Sequence, residues 1–286
     1  MTGLDEASDA FTRVRPRLFG IAYRMLGSVA EAEDVVQDTW LRWQGADREA
    51  VCNPDAFLAT TATRLAINEA TSARARRETY AGPWLPEPVD TSADPQLGAE
   101  RRAALEFAVL VLLERLSPTE RAAYVLREAF DYPYPRIAEV VEVSEAAARQ
   151  LVSRARKHLA DARRKPVSPQ RRRALLESFL SAARTGDLQA LEGLLAADVV
   201  STSDGGGRVR AAKIQVVGRD HVAKFHAAFA ARFWAAVETS FAQLNGEDAV
   251  VVRHSGEVTA VLTLEASDSG IQNVSWVMNP EKLSQL

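Results

Sequence analysis

The chain has 286 residues, of which 47% are hydrophobic and 26% are charged, with a net charge of −3 and one cysteine. These values predict two or three packed, soluble domains, and they exclude a wholly disordered chain and an intramolecular disulfide. Apolar runs such as Phe107–Leu113 are too short to cross a membrane, and the acidic first residues do not resemble a signal peptide. We therefore expect a cytoplasmic protein without membrane contact. The four scattered histidines predict no metal site, and no cofactor is expected.

The charge is segregated along the chain. Acidic residues crowd Glu31–Asp38, whereas basic residues crowd Arg74–Arg77 and again Arg149–Arg173. A net negative charge is unusual for a protein whose whole surface binds nucleic acid, so any DNA affinity must come from these local patches.

Helical periodicity extends from the first residues to about Arg77. A first apolar face closes at Gly27, which is suited to a C-cap. A second helix follows Ser28, with Glu31 at the capping-box spacing, and sets an acidic face beside an aromatic one. A third helix follows Pro54 and ends in the run SARARRE, whose arginines can neutralise phosphates.

The segment Gly82–Gly98 predicts a linker, since its four prolines and its polar DTSADPQ run cannot sustain a helix or a strand. Its WLPEP motif, Trp84–Pro88, contains a tryptophan that we expect to dock against another part of the protein. Helices resume at Ala99, and Ser117 with Pro118 predicts a capped helix start.

The segment Tyr134–Leu159 predicts a helix-turn-helix. A short apolar helix is followed by a turn, and Ser144 stands at the N-cap of a second helix. One face of that second helix is apolar and the other is basic, as in a recognition helix that enters the DNA major groove. The alternative is a helical hairpin whose charged face is only solvated.

Three segments in this order resemble the two conserved regions of group IV, or extracytoplasmic-function, bacterial sigma factors. They read AEAEDVVQDTWLRW, PDAFLATTATRLAINEATSARARRE and LSPTERAAYVLREAFDYPYPRIAEVVEVSEAAARQLVSRARKHL, within Ala7–Arg164. The resemblance implies that the first region binds core RNA polymerase and opens the −10 element, and that the second region binds the −35 element. The implied partners are promoter DNA and core RNA polymerase, through its β′ clamp and β flap.

The resemblance implies three sets of site residues. The polymerase-binding set is Asp34, Gln37, Asp38 and Trp40. The −10 set is Arg64, Asn68, Arg74, Arg76 and Arg77, although many members of the family have Arg-Asn where this chain has Thr63 and Arg64. The −35 set is Arg149, Gln150, Ser153, Arg154, Arg156 and Lys157. Beyond the third helix, Tyr80 and Trp84 have two interpretations: they stack on unpaired bases, or they pack within the protein.

After Pro166 the pattern changes from helices to a mixture of helices and alternating segments. Helices are predicted over Pro169–Arg184, at the start of Thr185–Asp204, and over His221–Trp234. Strands are predicted at the end of Thr185–Asp204 and over Val209–Val217, Ala249–His254, Glu257–Leu264 and Ile271–Met278. This order predicts an α+β cone with an antiparallel sheet. It resembles the NTF2-like, SnoaL-like domains, which have a pocket between helices and sheet.

The motifs WLPEP, DGGGR and NPEKL resemble the shared marks of the sigma subgroup that carries such a C-terminal extension. This chain has Glu281 where the subgroup has aspartate. The resemblance implies that the extension modulates sigma activity. The implied regulatory residues are Trp84, Leu85, Pro86, Asp204, Arg208, Asn279, Pro280 and Lys282.

Catalysis in this last domain is not expected. Candidate acid/base residues by type are Asp204, His221, His226 and Arg208, but no pair stands at a spacing that favours catalysis. A small ligand in the NTF2-like pocket, with Trp234 or Trp276 on its wall, remains an alternative to purely intramolecular contacts.

The predicted fold class is therefore multidomain: two all-α sigma domains followed by an α+β NTF2-like domain. We predict sigma region 2 at residues 1–81, the linker at 82–98, sigma region 4 at 99–165, and the C-terminal domain at 168–286. The predicted function is an alternative sigma factor that directs promoter-specific transcription initiation and is not an enzyme. The alternative is a helix-turn-helix transcription regulator that senses a small ligand through its C-terminal domain.

Overall fold

The computed structural model describes residues 3–90, 106–162 and 166–286. The described chain divides into two compact units. The helical unit contains residues 3–78 and 109–162, and the sheet unit contains residues 79–90, 106–108 and 166–286. The first half of the predicted linker thus belongs to the sheet unit.

The helical unit begins with three long helices that pack against one another around a core containing Leu18, Ile21 and Met25. These are α1 (Gly3–Leu26), α2 (Val29–Gln44) and α3 (Pro54–Glu78). The later helices are α4 (Phe107–Leu113), which belongs to this unit from Val109 onward, α5 (Pro118–Glu128), α6 (Tyr134–Val141) and α7 (Glu145–Ala162). Helices α1 and α3 contact α5, and α3 also contacts α6.

The predicted helix starts are present where local side chains can cap them. Ser28 accepts a hydrogen bond from the Glu31 amide, and Ser117 with Glu120 forms a complete capping box. Between α6 and α7, Glu142 adopts a left-handed conformation and Ser144 accepts from the Ala147 amide. The helix-turn-helix follows from these local signals. The predicted helix start at Ala99 lies outside the described residues.

The sheet unit places two longer helices against one sheet. Its elements are α8 (Pro169–Thr185), α9 (Leu188–Leu194), β1 (Leu195–Asp204), β2 (Val216–Val217), α10 (Arg219–Phe233), β3 (Val237–Leu244), β4 (Glu247–His254), β5 (Glu257–Ser267), β6 (Gly270–Val277) and α11 (Pro280–Leu283). The strand order is β2-β1-β6-β5-β4-β3. Buried residues of α8, α10 and the sheet, including Phe179, Val222 and Leu262, form its core.

The sheet differs from the prediction in its pairing. It is mixed rather than antiparallel, because β1 runs parallel to β6, with Thr202 opposite Ser275. This pairing joins segments about 70 residues apart. An alternating pattern indicates which face of a strand is buried, but it does not indicate whether the neighbouring strand is parallel or antiparallel.

Two strand assignments were also wrong. Strand β3 was not predicted, because it lies at the edge of the sheet and most of its side chains are half-exposed or exposed. Its sequence therefore lacks the strong alternation of a buried strand. The predicted strand Val209–Val217 is reduced to Val216–Val217, since the alternating residues before it do not face the core and Ile214 is 77% exposed. Among the described residues, no helix is long and apolar enough to cross a membrane.

Candidate functional site

The acidic residues predicted to bind polymerase line one groove. Asp34, Gln37 and Asp38 are exposed on α2, because Val35 and its neighbours turn the opposite face of that helix into the core. With Asn68 of α3 they line a groove of about 490 Å³. Two carboxylates beside two amides suit a partner surface that presents cations and hydrogen-bond donors.

Trp40, the fourth residue of this set, is half-buried beside the groove-lining face of α2. Its ring lies 4.9 Å from the ring of Phe11, measured between centroids. The contact fixes α2 against α1, so part of the Trp40 surface supports the groove while the rest remains accessible.

The −10 set extends along α3 from its middle to its C-terminal end. Asn68 and Arg74 are exposed. Arg76 forms ion pairs with Glu31 and Glu69, each at 2.6 Å, and hydrogen bonds to Glu69 and Glu31 raise its pKa. These pairs are exposed, so they are weak and can be exchanged for contacts with phosphate.

Arg77 differs because it is engaged within the helical unit. Its guanidinium is half-buried, pairs with Glu114 and donates to the Leu26 carbonyl. The buried Arg121, which sequence reasoning did not single out, pairs with the same Glu114 at 2.6 Å and donates to the Met25 carbonyl. Burial lowers the Arg121 pKa. These two arginines join α1, α3 and α5.

Arg64, the first residue of the −10 set, contacts the first helix of the helix-turn-helix. It donates to the carbonyls of Val140, at 3.1 Å, and Glu139, at 2.9 Å, and lies 3.1 Å from a carboxylate oxygen of Glu142. These groups form the C-terminal end of α6, where unpaired carbonyls attract a cation.

A second arginine makes the reciprocal contact from α6 to α3. Arg136 donates to the Ala56 carbonyl and to the Thr60 hydroxyl, both at 2.7 Å. Sequence reasoning missed Arg136, because a half-exposed arginine on a short helix has no periodicity that identifies its partner. Together Arg64 and Arg136 form what we call the α3–α6 clasp.

The −35 set lies on the free face of α7, opposite the buried Ala148, Val152 and Ala155. All of its members are exposed: Arg149, Gln150, Ser153, Arg154, Arg156 and Lys157. Three of them form ion pairs in which the arginine is exposed, namely Arg149 with Glu145 at 2.6 Å, Arg154 with the more buried Glu120 at 3.3 Å, and Arg156 with Glu128 at 2.7 Å. Exposed pairs of this kind contribute about 0–1 kcal/mol, so DNA phosphates can replace the carboxylates.

Several residues of the regulatory set meet at Asp204, the final residue of β1, which is 0% exposed. Its carboxylate accepts hydrogen bonds from the Tyr80 hydroxyl at 2.6 Å, the Leu85 amide at 2.9 Å and the Lys282 ammonium at 2.7 Å. Asn279 joins the cluster by donating to the Tyr80 hydroxyl at 3.0 Å. We call this cluster the Asp204 anchor: Tyr80, Leu85, Asp204, Asn279 and Lys282.

Lys282 supplies the positive charge of the Asp204 anchor. Its ammonium group also donates to the Leu85 carbonyl and lies 4.1 Å from the centroid of the Trp84 ring. Burial and the hydrogen bond to Asp204 raise the Tyr80 pKa. The phenol therefore stays protonated and continues to donate.

The aromatic residues after α3 therefore pack within the sheet unit, which is the second of their two predicted interpretations. Pro86, next in the motif, is also buried. Further along, the Val89 amide donates to the Asn245 side chain at 3.1 Å, and the Asn245 amide donates to the Val89 carbonyl at 2.8 Å. Residues 79–90 are thus fixed along the sheet unit.

The DGGGR turn lies against the NPEKL motif. Gly206 has a φ of +60°, and a Cβ there would overlap the Asn279 side chain, so glycine allows the two motifs to touch. Arg208 pairs with Glu281 at 2.7 Å, an exposed contact that the glutamate variant of the motif preserves. Pro280 is exposed at the first position of α11.

A separate cavity of about 290 Å³ lies between α10, β1 and β6. It is lined by Ser203, Arg210, Ala211, Ala212, Phe225, His226, Phe229, Phe233, Trp234, Trp276 and Met278. Burial lowers the His226 pKa to about 4, and its Nε2 lies 3.1 Å from the Ser201 hydroxyl. The other acid/base candidates lie elsewhere: Asp204 and Arg208 hold the motifs described above, and the exposed His221 contacts the Val217 carbonyl.

Two protein-family models match the helical regions of this chain, and similar proteins match most or all of its length. The sigma-70 region 2 family matches residues 10–76, and the sigma-70 region 4 family matches residues 106–159. The ECF RNA polymerase sigma factor SigJ of Mycobacterium tuberculosis is 42% identical over 221 residues, which cover 75% of this chain and 70% of that protein. The probable ECF sigma factor SigI of the same species is 29% identical over 100% of this chain and 98% of its own length.

A solved structure shares the complete architecture. The crystal structure of Mycobacterium tuberculosis SigJ superposes with a TM-score of 0.78 at 32% identity, covering 97% of this chain and 98% of that chain. The similarity therefore extends beyond the two helical regions and includes the C-terminal domain with its mixed sheet. On these grounds the chain belongs to the extracytoplasmic function sigma factors of bacterial RNA polymerase.

Proposed function

We propose that this protein is an alternative sigma factor that binds core RNA polymerase and directs it to promoters recognised through α3 and α7. The observation that carries the proposal is the pair of surfaces in the helical unit. An exposed acidic groove on α2 lies in sigma region 2, and an exposed basic face on α7 lies in region 4. A DNA-binding regulator needs the second surface but has no use for the first.

Charge reversal in the groove tests this function. We expect the Asp34→Lys/Asp38→Lys variant to bind core polymerase at least 100-fold more weakly, because like charges facing each other across an interface cost several kcal/mol. The measurement is co-elution with purified core polymerase, followed by run-off transcription. The matched control is Asp47→Lys/Glu49→Lys, which makes the same change at exposed residues outside the groove.

The outcome also separates the two candidate functions. A sigma factor loses both the polymerase complex and transcription in the groove variant and keeps both in the control. If wild-type protein forms no complex with core polymerase, or if the groove variant binds as well as wild type, the sigma-factor proposal is wrong.

The free face of α7 gives a second prediction. We expect Arg149→Ala and Arg154→Ala each to weaken binding of a −35 duplex by about 1–3 kcal/mol where the side chain contacts a base edge. Where the side chain binds a phosphate instead, its removal weakens binding to every sequence alike and lowers the salt dependence. Fluorescence anisotropy with specific and scrambled duplexes over a salt series measures both effects.

The matched control for this experiment is Lys224→Ala, which removes an exposed charge from α10. Its affinity for both duplexes should equal that of wild type. Unchanged affinity in both arginine variants would show that the free face of α7 does not bind the −35 element.

We further propose that the C-terminal domain modulates sigma activity by holding the linker. The support is the Asp204 anchor, in which the Asp204 carboxylate binds Tyr80 and Leu85. These two residues lie only a few positions after the end of α3. The domain therefore restrains the chain that joins the −10 helix to region 4. Deletion of Asn279–Leu286 removes Lys282 but keeps every strand, and transcription unchanged by that deletion would contradict the modulation.

A further inference from the structure

The cavity of the sheet unit has a wall made largely of aromatic rings. Ring centroids lie 4.8 Å apart for Phe225 and Phe229, 5.2 Å for Phe233 and Trp276, and 5.9 Å for Trp234 and Trp276. Phe229 is among the exposed large apolar side chains, so the wall reaches the surface. Such a wall favours a flat, apolar ligand whose ring can pack edge-on or offset against these side chains.

One residue of the wall carries a buried donor that does not reach the open space of the cavity. Trp276 is 4% exposed, and its Nε1–H is inaccessible to water and makes no hydrogen bond within the described chain. Polar contacts with a ligand must therefore come from other residues that line the cavity. Of the neighbouring residues, Ser203 also lines the cavity and can donate its hydroxyl proton.

The charge at the cavity is positive and comes from a single residue. His226 is neutral at physiological pH, because burial lowers its pKa to about 4. Arg210 is exposed, lines the cavity, and has no ion-pair partner among the described residues. A guanidinium in this position suits a carboxylate, to which it can donate two parallel hydrogen bonds.

We propose that this cavity binds a small aromatic carboxylate, with its ring among the aromatic side chains and its carboxylate on Arg210. A volume of about 290 Å³ is at the lower limit of the roughly 300–1,000 Å³ usual for ligand pockets, which favours one or two rings. The site deepens the proposed regulation by the C-terminal domain, but its occupancy does not depend on sigma activity.

Isothermal titration calorimetry of the full chain with 2-naphthoate tests the proposal. We expect a dissociation constant of about 10–100 µM, a value reasonable for a ligand of this size. Two comparison ligands test the aromatic ring and the carboxylate separately: 2-naphthamide has the rings without the charge, and octanoate has the charge without the rings. Each should bind at least about tenfold more weakly than 2-naphthoate.

Two variants assign the contacts. Arg210→Gln should weaken binding of 2-naphthoate about tenfold while leaving 2-naphthamide unchanged, because the change removes only the charge-assisted hydrogen bonds. Trp276→Phe replaces an indole of the aromatic wall by a smaller ring and should weaken both naphthyl ligands. The control is Arg232→Gln, an exposed arginine of α10 that does not line the cavity, and it should leave both affinities at the wild-type values.

Three results would overturn the proposal: no heat of binding with 2-naphthoate at millimolar concentration, octanoate binding as tightly as 2-naphthoate, or equal 2-naphthoate affinity in wild type and Arg210→Gln. The exposed Arg210 is replaceable without disturbing the core, so loss of folding does not obscure the answer. Since calorimetry reads binding alone, a failed sigma-factor test and a failed ligand test remain distinct.

Discussion

Replacing Lys282 by methionine is expected to destabilise the sheet unit by about 3–5 kcal/mol, the usual cost of leaving one member of a buried ion pair without its partner. The Asp204 carboxylate is fully buried and would keep its hydrogen bonds from Tyr80 and Leu85 but lose its only cation among the described residues. Hydrogen exchange of peptides from β1 and β6 measures the local free energy of opening.

The same variant should release the linker. In wild type, Lys282 donates to the Leu85 carbonyl and lies over the Trp84 ring, so it holds the WLPEP segment against the sheet unit. We expect chymotrypsin to cleave after Trp84 in Lys282→Met under conditions where wild type is resistant. Cleavage is read by mass spectrometry of the two fragments.

A double-mutant cycle and a surface control make the test specific. Asp204→Asn combined with Lys282→Met should cost less than the sum of the single changes, because the double variant buries no unpaired charge. Glu281→Gln breaks the Arg208–Glu281 pair, both of whose side chains are 66% exposed, and should change stability by less than about 1 kcal/mol. If Lys282→Met is no less stable than Glu281→Gln, the Asp204 anchor does not hold the linker.

The second large effect is expected at the α3–α6 clasp. Arg136→Ala removes two charge-assisted hydrogen bonds from α6 to α3 and should favour separation of the two helices by about 2 kcal/mol, or roughly thirtyfold. Because Arg64 in the closed state donates to the carbonyl end of α6, separation frees it for nucleic acid. Arg136→Ala should therefore bind single-stranded DNA about tenfold more tightly, as the competent state becomes populated.

Comparison with Arg64→Ala distinguishes release of the clasp from a nonspecific loss of structure. Both variants should increase hydrogen exchange in α6, but Arg64→Ala should show no gain in affinity, because it also lacks the guanidinium that would bind phosphate. Arg15→Ala, which breaks an exposed ion pair with Glu33 between α1 and α2, should change neither quantity. Equal DNA affinity in Arg136→Ala and wild type would show that the clasp does not limit access to Arg64.

The helices were predictable because their signals are local. Ser28, Ser117 and Ser144 cap their helices with their own side chains, and the apolar face of α7 follows directly from its spacing. The parallel pairing of β1 with β6 is different, since neither strand's sequence specifies its neighbour. The residues before Val216 are the opposite case. Their apolar and polar side chains alternate as in a strand, but they do not pack against a core and form no strand.

The functional surfaces were predictable to different degrees. The resemblance to a known family implied roles for Asp34, Arg149, Asp204 and Lys282, and helical spacing placed Arg149 on the free face of α7, where it is exposed. Arg136 could not be found in this way, because an arginine's partners on another helix depend on packing that no local pattern encodes. The roles assigned to these residues in binding polymerase and promoter stay predictions.

The strand order has a consequence for newly made molecules. The described residues of the helical unit end at Ala162, about 120 residues before Lys282 in the chain. At about 5–20 residues per second, translation of that stretch takes roughly 6–24 s. Until then the Asp204–Lys282 pair cannot form, and β6, which lies between β1 and β5, is complete only five residues earlier. A nascent chain that has not reached Lys282 therefore lacks the cation that pairs with Asp204 and binds the Leu85 carbonyl, and its linker is held by fewer contacts than in the folded protein.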